Sequence, residues 1–170
     1  NQLENLKNLV TFLLQRKFSN IVIVDNQSTY QPLNSYYETI KEKVKIEKMD
    51  YNYGHMVFFE NPILLKKYAQ GYYVVSDADI LPNPNLPENF MSILIQKLDK
   101  YQYNILKVGF ALELETIPDY YPLKKKVLNW EEKYWKINLE KDIYQADIDT
   151  TLALYKPNYP FNFFVKDNQF

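Results

Sequence analysis

The chain has 170 residues, the size of one domain, and its hydrophobic fraction of 46% excludes a disordered or collagen-like protein. Its formal net charge of -1 argues against a dedicated nucleic-acid-binding protein, which carries a strong basic excess. The absence of cysteine excludes disulfides and thiolate metal sites, and no apolar run has the length of a membrane span. We therefore expect one globular domain in a reducing compartment, the cytoplasm.

Hydrophobic periodicity predicts a helix followed by a strand at the start of the chain. Apolar residues at helical spacing predict a helix over 3–16. The β-branched run 21–24 predicts a buried strand that ends at Asp25. Ser35 and Glu38 match a capping box, so we expect the second helix to begin at this position.

The same alternation continues in the middle of the chain. A second strand is expected over 44–48. Asn61–Pro62 supplies an N-cap and a first-turn proline for a helix that Gly71 ends. A buried strand over 72–76 follows this helix.

The later elements complete an α/β pattern. Helices are expected over 88–101 and 122–137, an extended segment over 105–112, and a last strand over 150–155. Strands that alternate with helices of this length indicate an α/β sandwich with a mainly parallel central sheet. In such sheets the ligand crevice lies beyond the carboxyl ends of the strands.

Acidic residues occupy the predicted carboxyl ends of two strands. Asp25 follows the first strand, and Asp77 and Asp79 follow the strand over 72–76. Two carboxylates separated by one residue can converge on Mg²⁺ or Mn²⁺, which take oxygen ligands. The alternative for both positions is structural, since aspartate also forms Asx turns and caps loops.

Three further positions are candidates for chemistry. Asp147 and Asp149 form a second spaced pair before the last strand, and either could serve as a general base; strand-entry solvation is the alternative. Gly54 marks a special backbone conformation or a close approach to a ligand. His55 is the only histidine and could contact phosphate or a metal, although a lone histidine is more often structural.

Two features of the basic residues bear on function. Arg16 is the only arginine, so a metal ion is a natural partner for phosphate in place of guanidinium groups. The basic run Lys124–Lys126 is either a solvated face or a contact with a membrane surface or an acceptor phosphate.

Four motifs in this order resemble a GT-A-fold glycosyltransferase of the family 2 type. They are a strand ending in Asp-Asn-Gln-Ser-Thr (25–29), an Asn-x-Gly loop (52–54), a D-x-D signature (77–79) and a later acidic motif (146–149). The resemblance extends over roughly residues 3–155. It implies a three-layer sandwich with a mainly parallel sheet, formed by a single domain over 1–170 that lacks the family's opening strand and its C-terminal acceptor-binding segment.

The resemblance also implies roles for individual residues. The nucleotide-sugar, a UDP- or GDP-sugar, would be bound by Asp25, Asn26, Ser28, Thr29, Gly54, His55 and Asp77. Asp77 and Asp79 would hold the Mn²⁺ or Mg²⁺ that bridges the diphosphate. Asp147, or Asp149 in its place, would deprotonate the acceptor hydroxyl in an inverting transfer.

The implied reaction moves a sugar to a saccharide or glycolipid acceptor, as in polysaccharide biosynthesis. The setting would be the cytoplasm or the inner face of the membrane, with peripheral membrane association as an option and no nucleic-acid partner. The chain departs from the family pattern at Gln27, Tyr30 and Ala146, where Gly, Asp and Glu are common.

Two alternatives remain at this point. Asp77–Asp79 also resembles the nucleophile loop of haloacid-dehalogenase-type phosphatases, although that loop belongs on the first strand. The second alternative is a non-catalytic fragment or interaction module that packs against a partner.

Overall fold

Helices and short strands alternate along the chain in the computed structural model, which describes residues 2–160. The helices are α1 (Leu3–Gln15), α2 (Gln31–Ile40), α3 (Val57–Glu60), α4 (Pro62–Tyr68), α5 (Phe90–Lys100) and α6 (Lys124–Glu131), with a 3₁₀ helix at Glu132–Trp135. The strands are β1 (Val22–Asp25), β2 (Lys45–Lys48), β3 (Tyr73–Val75), β4 (Lys107–Val108), β5 (Ile137–Glu140), β6 (Ile143–Gln145) and β7 (Ala153–Tyr155). The fold is therefore mixed α/β. No helix within residues 2–160 combines the length and apolarity needed to cross a bilayer.

The strands pair in three small sheets. β1 lies parallel to β2, with Asp25 opposite Lys48. β7 lies between β3 and β4 and is antiparallel to both, and β5 and β6 form an antiparallel hairpin. The prediction of a mainly parallel sheet was wrong, because one pairing in the described part of the chain is parallel and three are antiparallel. A short apolar run reads the same in either direction, so periodicity carried no information on the direction of β7.

Helices cover both faces of the sheet β3–β7–β4. Successive side chains of a strand point to opposite faces. Tyr73 and Tyr155, which are directly paired and stacked at 5.2 Å between ring centroids, face α3 and α4. Val74 and Leu154 face the other way and pack with Phe90 of α5. This sheet is thus the middle of three layers.

Helix α1 connects the two halves of the protein. Leu6 and Val10 are buried in a core that α1 forms with α2 and the sheet β1–β2. Phe12 of the same helix packs in the core under α5, 6.2 Å from the ring of Phe90. Helix α1 therefore packs both against the sheet β1–β2 and against the core that lies between α5 and the sheet β3–β7–β4.

The start of α2 differs from the prediction. The helix begins at Gln31, and the backbone carbonyl of Tyr30 accepts hydrogen bonds from the N–H groups of its first turn. Pro32 fits this first turn because the missing N–H of proline is not needed there. Ser35 and Glu38 consequently lie inside the helix, and the capping-box prediction was wrong.

The predicted helix over 122–137 also ends earlier than expected. α6 stops at Glu131, the chain tightens into the 3₁₀ helix, and β5 begins at Ile137. β5 pairs with β6 across a tight turn in which Asp142 has a φ of 58°, a conformation that aspartate tolerates. The end of this segment therefore pairs with β6 as a strand, although its apolar residues have helical spacing.

The remaining predicted elements are present, with shorter bounds at the strands. The prediction that Gly71 ends the helix after Asn61–Pro62 was wrong, because α4 ends at Tyr68 and Ala69 is its C-cap. The side chain of Asn61 accepts hydrogen bonds from the N–H groups of Ile63 (3.0 Å) and Leu64 (3.1 Å), as expected of an N-cap. Of the extended segment 105–112, only Lys107–Val108 pairs as a strand.

Candidate functional site

Asp77 lies beyond the end of β3 and is held by Thr150. The Thr150 hydroxyl donates to Asp77 Oδ2 at 2.8 Å, and the Asp77 N–H donates to the Thr150 carbonyl at 3.0 Å. Thr150 precedes β7, the neighbour of β3. The pairing of these two strands therefore brings residues 77 and 150 together.

Two more carboxylates accompany this contact. The Thr150 N–H donates to Asp149 Oδ1 at 2.9 Å, so Thr150 lies between Asp149 and Asp77. Partial burial raises the pKa of Asp77, the charges of Asp149 and Asp79 raise it further, and the hydrogen bond from Thr150 opposes them. We name Asp77, Asp79, Asp149 and Thr150 the Asp77 cluster. Its crowded negative charge is an environment that a bound cation would relieve.

Asp79 faces the beginning of α1. Its Oδ2 accepts a hydrogen bond of 2.9 Å from the Gln2 side chain, immediately before the helix. Ala78, between the two aspartates, packs against the core formed by α1, α2, β1 and β2. The D-x-D segment therefore connects the sheet β3–β7–β4 with the other half of the protein.

The donor set at the Asp77 cluster suits a cation that binds together with its substrate. Over residues 2–160, no three His, Cys, Asp or Glu side chains are arranged to hold a metal ion. Asp77 and Asp79 offer two carboxylates. Mg²⁺ in proteins commonly takes one or two carboxylates, with waters and substrate phosphates completing its shell. The pair fits that arrangement and does not form an all-protein metal cage.

A polar cavity adjoins the cluster. Its volume is about 560 Å³, and it is lined by Lys107, Lys133, Tyr134, Asp147, Ile148 and Asp149. Asp147 and Asp149 are both exposed, and their charges raise the pKa of the nearby Tyr155, although burial is the larger cause. The cavity thus places Asp147 beside the Asp77 cluster, with two lysines in the same lining.

Sequence reasoning missed several residues of this region. Thr150 directly follows Asp149 in the sequence, but hydroxyl side chains next to acidic residues are common, so this position did not identify it as a site residue. Lys107 and Lys133 gave none, because only the folded chain brings them to the cavity. Glu131 is also close, since burial raises its pKa, the charge of Lys133 lowers it and the charge of Asp149 raises it.

Asp25 is buried, so its carboxylate is less accessible than expected for a residue that contacts a ligand. Its side chain and backbone are only 4% exposed, and Oδ1 accepts the Ser28 N–H at 3.0 Å. Burial raises the pKa of Tyr37 to about 12, and the nearby charge of Asp25 adds to this effect. Asp25 thus forms the Asx-type turn that was its structural alternative. Ser28 is half-buried and Thr29 is exposed.

Asn26 ties the loop after β1 to the loop after β2. Its amide donates to Asn52 Oδ1 and to the Gly54 carbonyl, both at 2.8 Å, and its Oδ1 accepts the Tyr53 N–H at 2.8 Å. Gly54 has a φ of 85°, which favours glycine, and His55 is exposed beside it. We name Asn26 with residues 52–54 the Asn26 clamp. Its observed contacts stabilise the loop.

The Asn26 clamp and the Asp77 cluster belong to the same end of the protein. Six residues connect α1 to β1, so α1 runs back antiparallel along the strand on which it packs. The start of α1 therefore lies at the end of β1 that carries Asp25. Because Gln2 at this start contacts Asp79, the two groups of predicted site residues share one edge.

Comparison with known proteins found no matching family model, no matching curated protein and no matching solved structure. The chemistry of the site is therefore interpreted from its geometry and from the motifs in the sequence.

Proposed function

We propose that the protein is a glycosyltransferase of the GT-A type, which transfers a sugar from a UDP- or GDP-sugar to a saccharide or glycolipid acceptor. The observation that supports this most is the Asp77 cluster, in which residues from two distant motifs meet beside a polar cavity. The same proposal includes the fold, with the helix-covered sheet β3–β7–β4 as one part of a GT-A sandwich.

Asp77 and Asp79 are the proposed contacts of the donor diphosphate. With Mn²⁺ or Mg²⁺ bound, the ion would neutralise charge that develops on the leaving diphosphate. Thr150 orients the Asp77 carboxylate through its hydroxyl, and Gln2 holds that of Asp79. Each aspartate therefore keeps one oxygen in a protein hydrogen bond and has the other for the ligand.

Asp147 is the proposed general base. It lines the cavity, while the neighbouring Asp149 is already bonded to Thr150. The acceptor oxygen forms a bond to the anomeric carbon, the bond from that carbon to the diphosphate oxygen breaks, and the proton moves to Asp147. Such general-base catalysis typically contributes ~10²–10⁴-fold in rate. Attack from the face opposite the diphosphate inverts the anomeric configuration.

The nucleotide would lie toward the Asn26 clamp. Asp25 is only 4% exposed and accepts the Ser28 N–H, so its proposed role is to hold the turn that the nucleotide approaches. Asn26 keeps residues 52–54 in place for the approach of the nucleotide, with Gly54 and His55 at its edge. Thr29, exposed in the same turn, completes this part of the proposed site.

The strand that carries Asp77 favours this proposal over a phosphatase. A haloacid-dehalogenase-type nucleophile loop follows the first strand, whereas Asp77 follows β3. The strand β7, which pairs with β3, is antiparallel to it. A non-catalytic interaction module would not need Asp77 and Asp149 gathered around a hydroxyl beside a cavity.

A thermal-shift screen tests the proposed function. UDP, GDP, CDP and their sugars are each added with and without Mn²⁺, and we expect one nucleotide to stabilise the protein only with the cation. Asp79→Asn, which keeps an oxygen for Gln2, should abolish this shift. Asp142→Asn, in the exposed β5–β6 turn, is the matched control. A folded protein that responds to no nucleotide contradicts the proposal, and hydrolysis of a simple phosphate ester would favour the phosphatase.

A further inference from the structure

Helix α6 carries an exposed surface of aromatic and lysine side chains. The helix buries none of its residues completely. Around it, Tyr120 is 87% exposed, Trp130 63% and Leu123 51%. We name this the α6 surface, consisting of Tyr120, Tyr121, Leu123, Lys125, Lys126 and Trp130.

The two lysines of the α6 surface differ in their partners from the neighbouring Lys124. Lys124 forms an ion pair with Asp119 at 2.8 Å and donates a hydrogen bond to the Ile117 carbonyl at 2.6 Å. Lys125 and Lys126, in contrast, form no ion pair with any residue of the described range 2–160.

Trp130 adds an amphipathic ring to this charge. Lys126 and Trp130 are four residues apart and therefore neighbours on the same side of the helix. The ammonium group of Lys133 lies 3.5 Å from the centroid of the Trp130 ring. The outer side of α6 thus combines an indole ring with cationic groups.

We propose that the α6 surface docks on a lipid bilayer with anionic headgroups. Tryptophan and tyrosine side chains favour the depth of the headgroups, where one part of the ring is in an apolar environment and the other is hydrated. Unpaired lysines next to such rings are attracted by anionic lipid. The whole chain has a net charge of -1, so this attraction is local to the surface and not a property of the entire protein.

The lysines favour a bilayer over a protein partner. Protein interfaces are enriched in aromatic residues but depleted in lysine, whereas membrane-surface helices commonly combine both. The docking is also independent of the transferase proposal. If that proposal holds, docking would bring the cavity toward the bilayer, since α6 leads into the 3₁₀ helix that carries Lys133 and Tyr134.

Vesicle co-sedimentation of the full chain tests the docking. We expect binding to phosphatidylcholine vesicles that contain roughly 30% phosphatidylglycerol, much weaker binding to pure phosphatidylcholine, and a loss at about 0.5 M salt. Each lysine near an anionic surface contributes about fivefold to partitioning, so K125E/K126E should weaken binding by about 25-fold or more. Circular dichroism would verify that the variants are folded.

Matched variants separate the α6 surface from general effects. K43E/K66E makes the same charge change at exposed positions elsewhere and should bind like the wild type. Tyr103→Ala, at a ring 92% exposed, is the control for Tyr120→Ala, which should bind more weakly. Equal losses in controls, or no binding to anionic vesicles, would overturn the proposal. A dimer that Trp130→Ala abolishes, without vesicle binding, would identify a second copy as the occupant instead.

Discussion

The Thr150 hydroxyl donates a 2.8 Å hydrogen bond to the Asp77 carboxylate across 73 positions of the sequence. The contact exists because β7 pairs with β3, and the Asp77 N–H returns a bond to the Thr150 carbonyl. It joins the D-x-D segment to the acidic segment 147–149 at the cavity. The proposed chemistry depends on this junction.

Removing the Thr150 hydroxyl should weaken nucleotide binding. In Thr150→Val, Asp77 loses its side-chain donor, and a single hydrogen bond is worth about 0.5–1.5 kcal/mol, or about twofold to twelvefold in affinity. We expect this loss in the calorimetric Kd of the best nucleoside diphosphate with Mn²⁺. Thr116→Val, at an exposed loop residue, is the control. An unchanged Kd would show that Thr150 does not orient Asp77 for binding.

Asn26 should stabilise the loops that it connects. Asn26→Ala removes its bonds to Asn52, Tyr53 and Gly54, and we expect a loss of about 1–2 kcal/mol in the free energy of unfolding. Urea denaturation measures this loss, and faster proteolysis near Tyr53 should accompany it. Asn89 makes no side-chain capping bond, so Asn89→Ala should have a much smaller effect. Equal effects would contradict the clamp.

A larger residue at Gly109 should destabilise the protein. A Cβ at this position would lie 3.0 Å from the Ala153 Cα and 2.9 Å from the Ile148 Cδ1. We expect Gly109→Ala to destabilise the protein by about 1–3 kcal/mol, because β7 or the segment around Ile148 must shift. A Cβ at Gly71 meets nothing within 4 Å, so Gly71→Ala should leave the melting temperature close to wild type. Similar melting temperatures for both variants would contradict this packing.

Glu47 should make stability depend on pH. Hydrogen bonds from Lys67 (2.7 Å) and Tyr68 lower the pKa of Glu47 to about 2, and they join β2 to α4. Because the folded pKa is depressed, this stabilisation is present above the unfolded pKa near 4.5 and is lost as the pH falls toward 2. The side chain is only 19% exposed, so we expect Glu47→Gln to cost about 1–2 kcal/mol at pH 7.

Urea unfolding at neutral and at acidic pH measures the contribution of Glu47. The difference between the wild type and Glu47→Gln should shrink as Glu47 becomes protonated. Glu38→Gln, which removes an exposed pair with Lys41, should change stability much less. A difference that stays constant from neutral to acidic pH would exclude the ion pair as its cause.

Local patterns predicted most elements but not the way in which the strands pair. The periodicity of 3–16 and the Asn61–Pro62 cap are local properties, and both predictions are confirmed. The direction of β7 depends on partners distant along the chain, and the end of the predicted helix 122–137 became a 3₁₀ helix and the start of β5, which pairs in a hairpin. Periodicity within one segment contains no information about these partners.

Some residues of the candidate site could likewise be predicted from local sequence, and others could not. Asp77 was identified by its position after an apolar run and Asp149 as part of a spaced pair before the last strand, and the two lie on either side of Thr150. The turn formed by Asp25 was an open alternative in the sequence and is present in the structure. Lys107 and Lys133 come to the cavity through folding alone, so no spacing in the sequence could reveal them.

The most direct test of the proposed function is a calorimetric titration of the stabilising nucleoside diphosphate, with and without Mn²⁺, into the wild type, Asp79→Asn and Asp142→Asn. We predict cation-dependent binding to the wild type and to Asp142→Asn, and a loss of at least about tenfold in Asp79→Asn, since one of two carboxylates for the ion is neutralised. Wild-type affinity with unchanged cation dependence in Asp79→Asn would contradict the assignment of Asp77 and Asp79 as the diphosphate site.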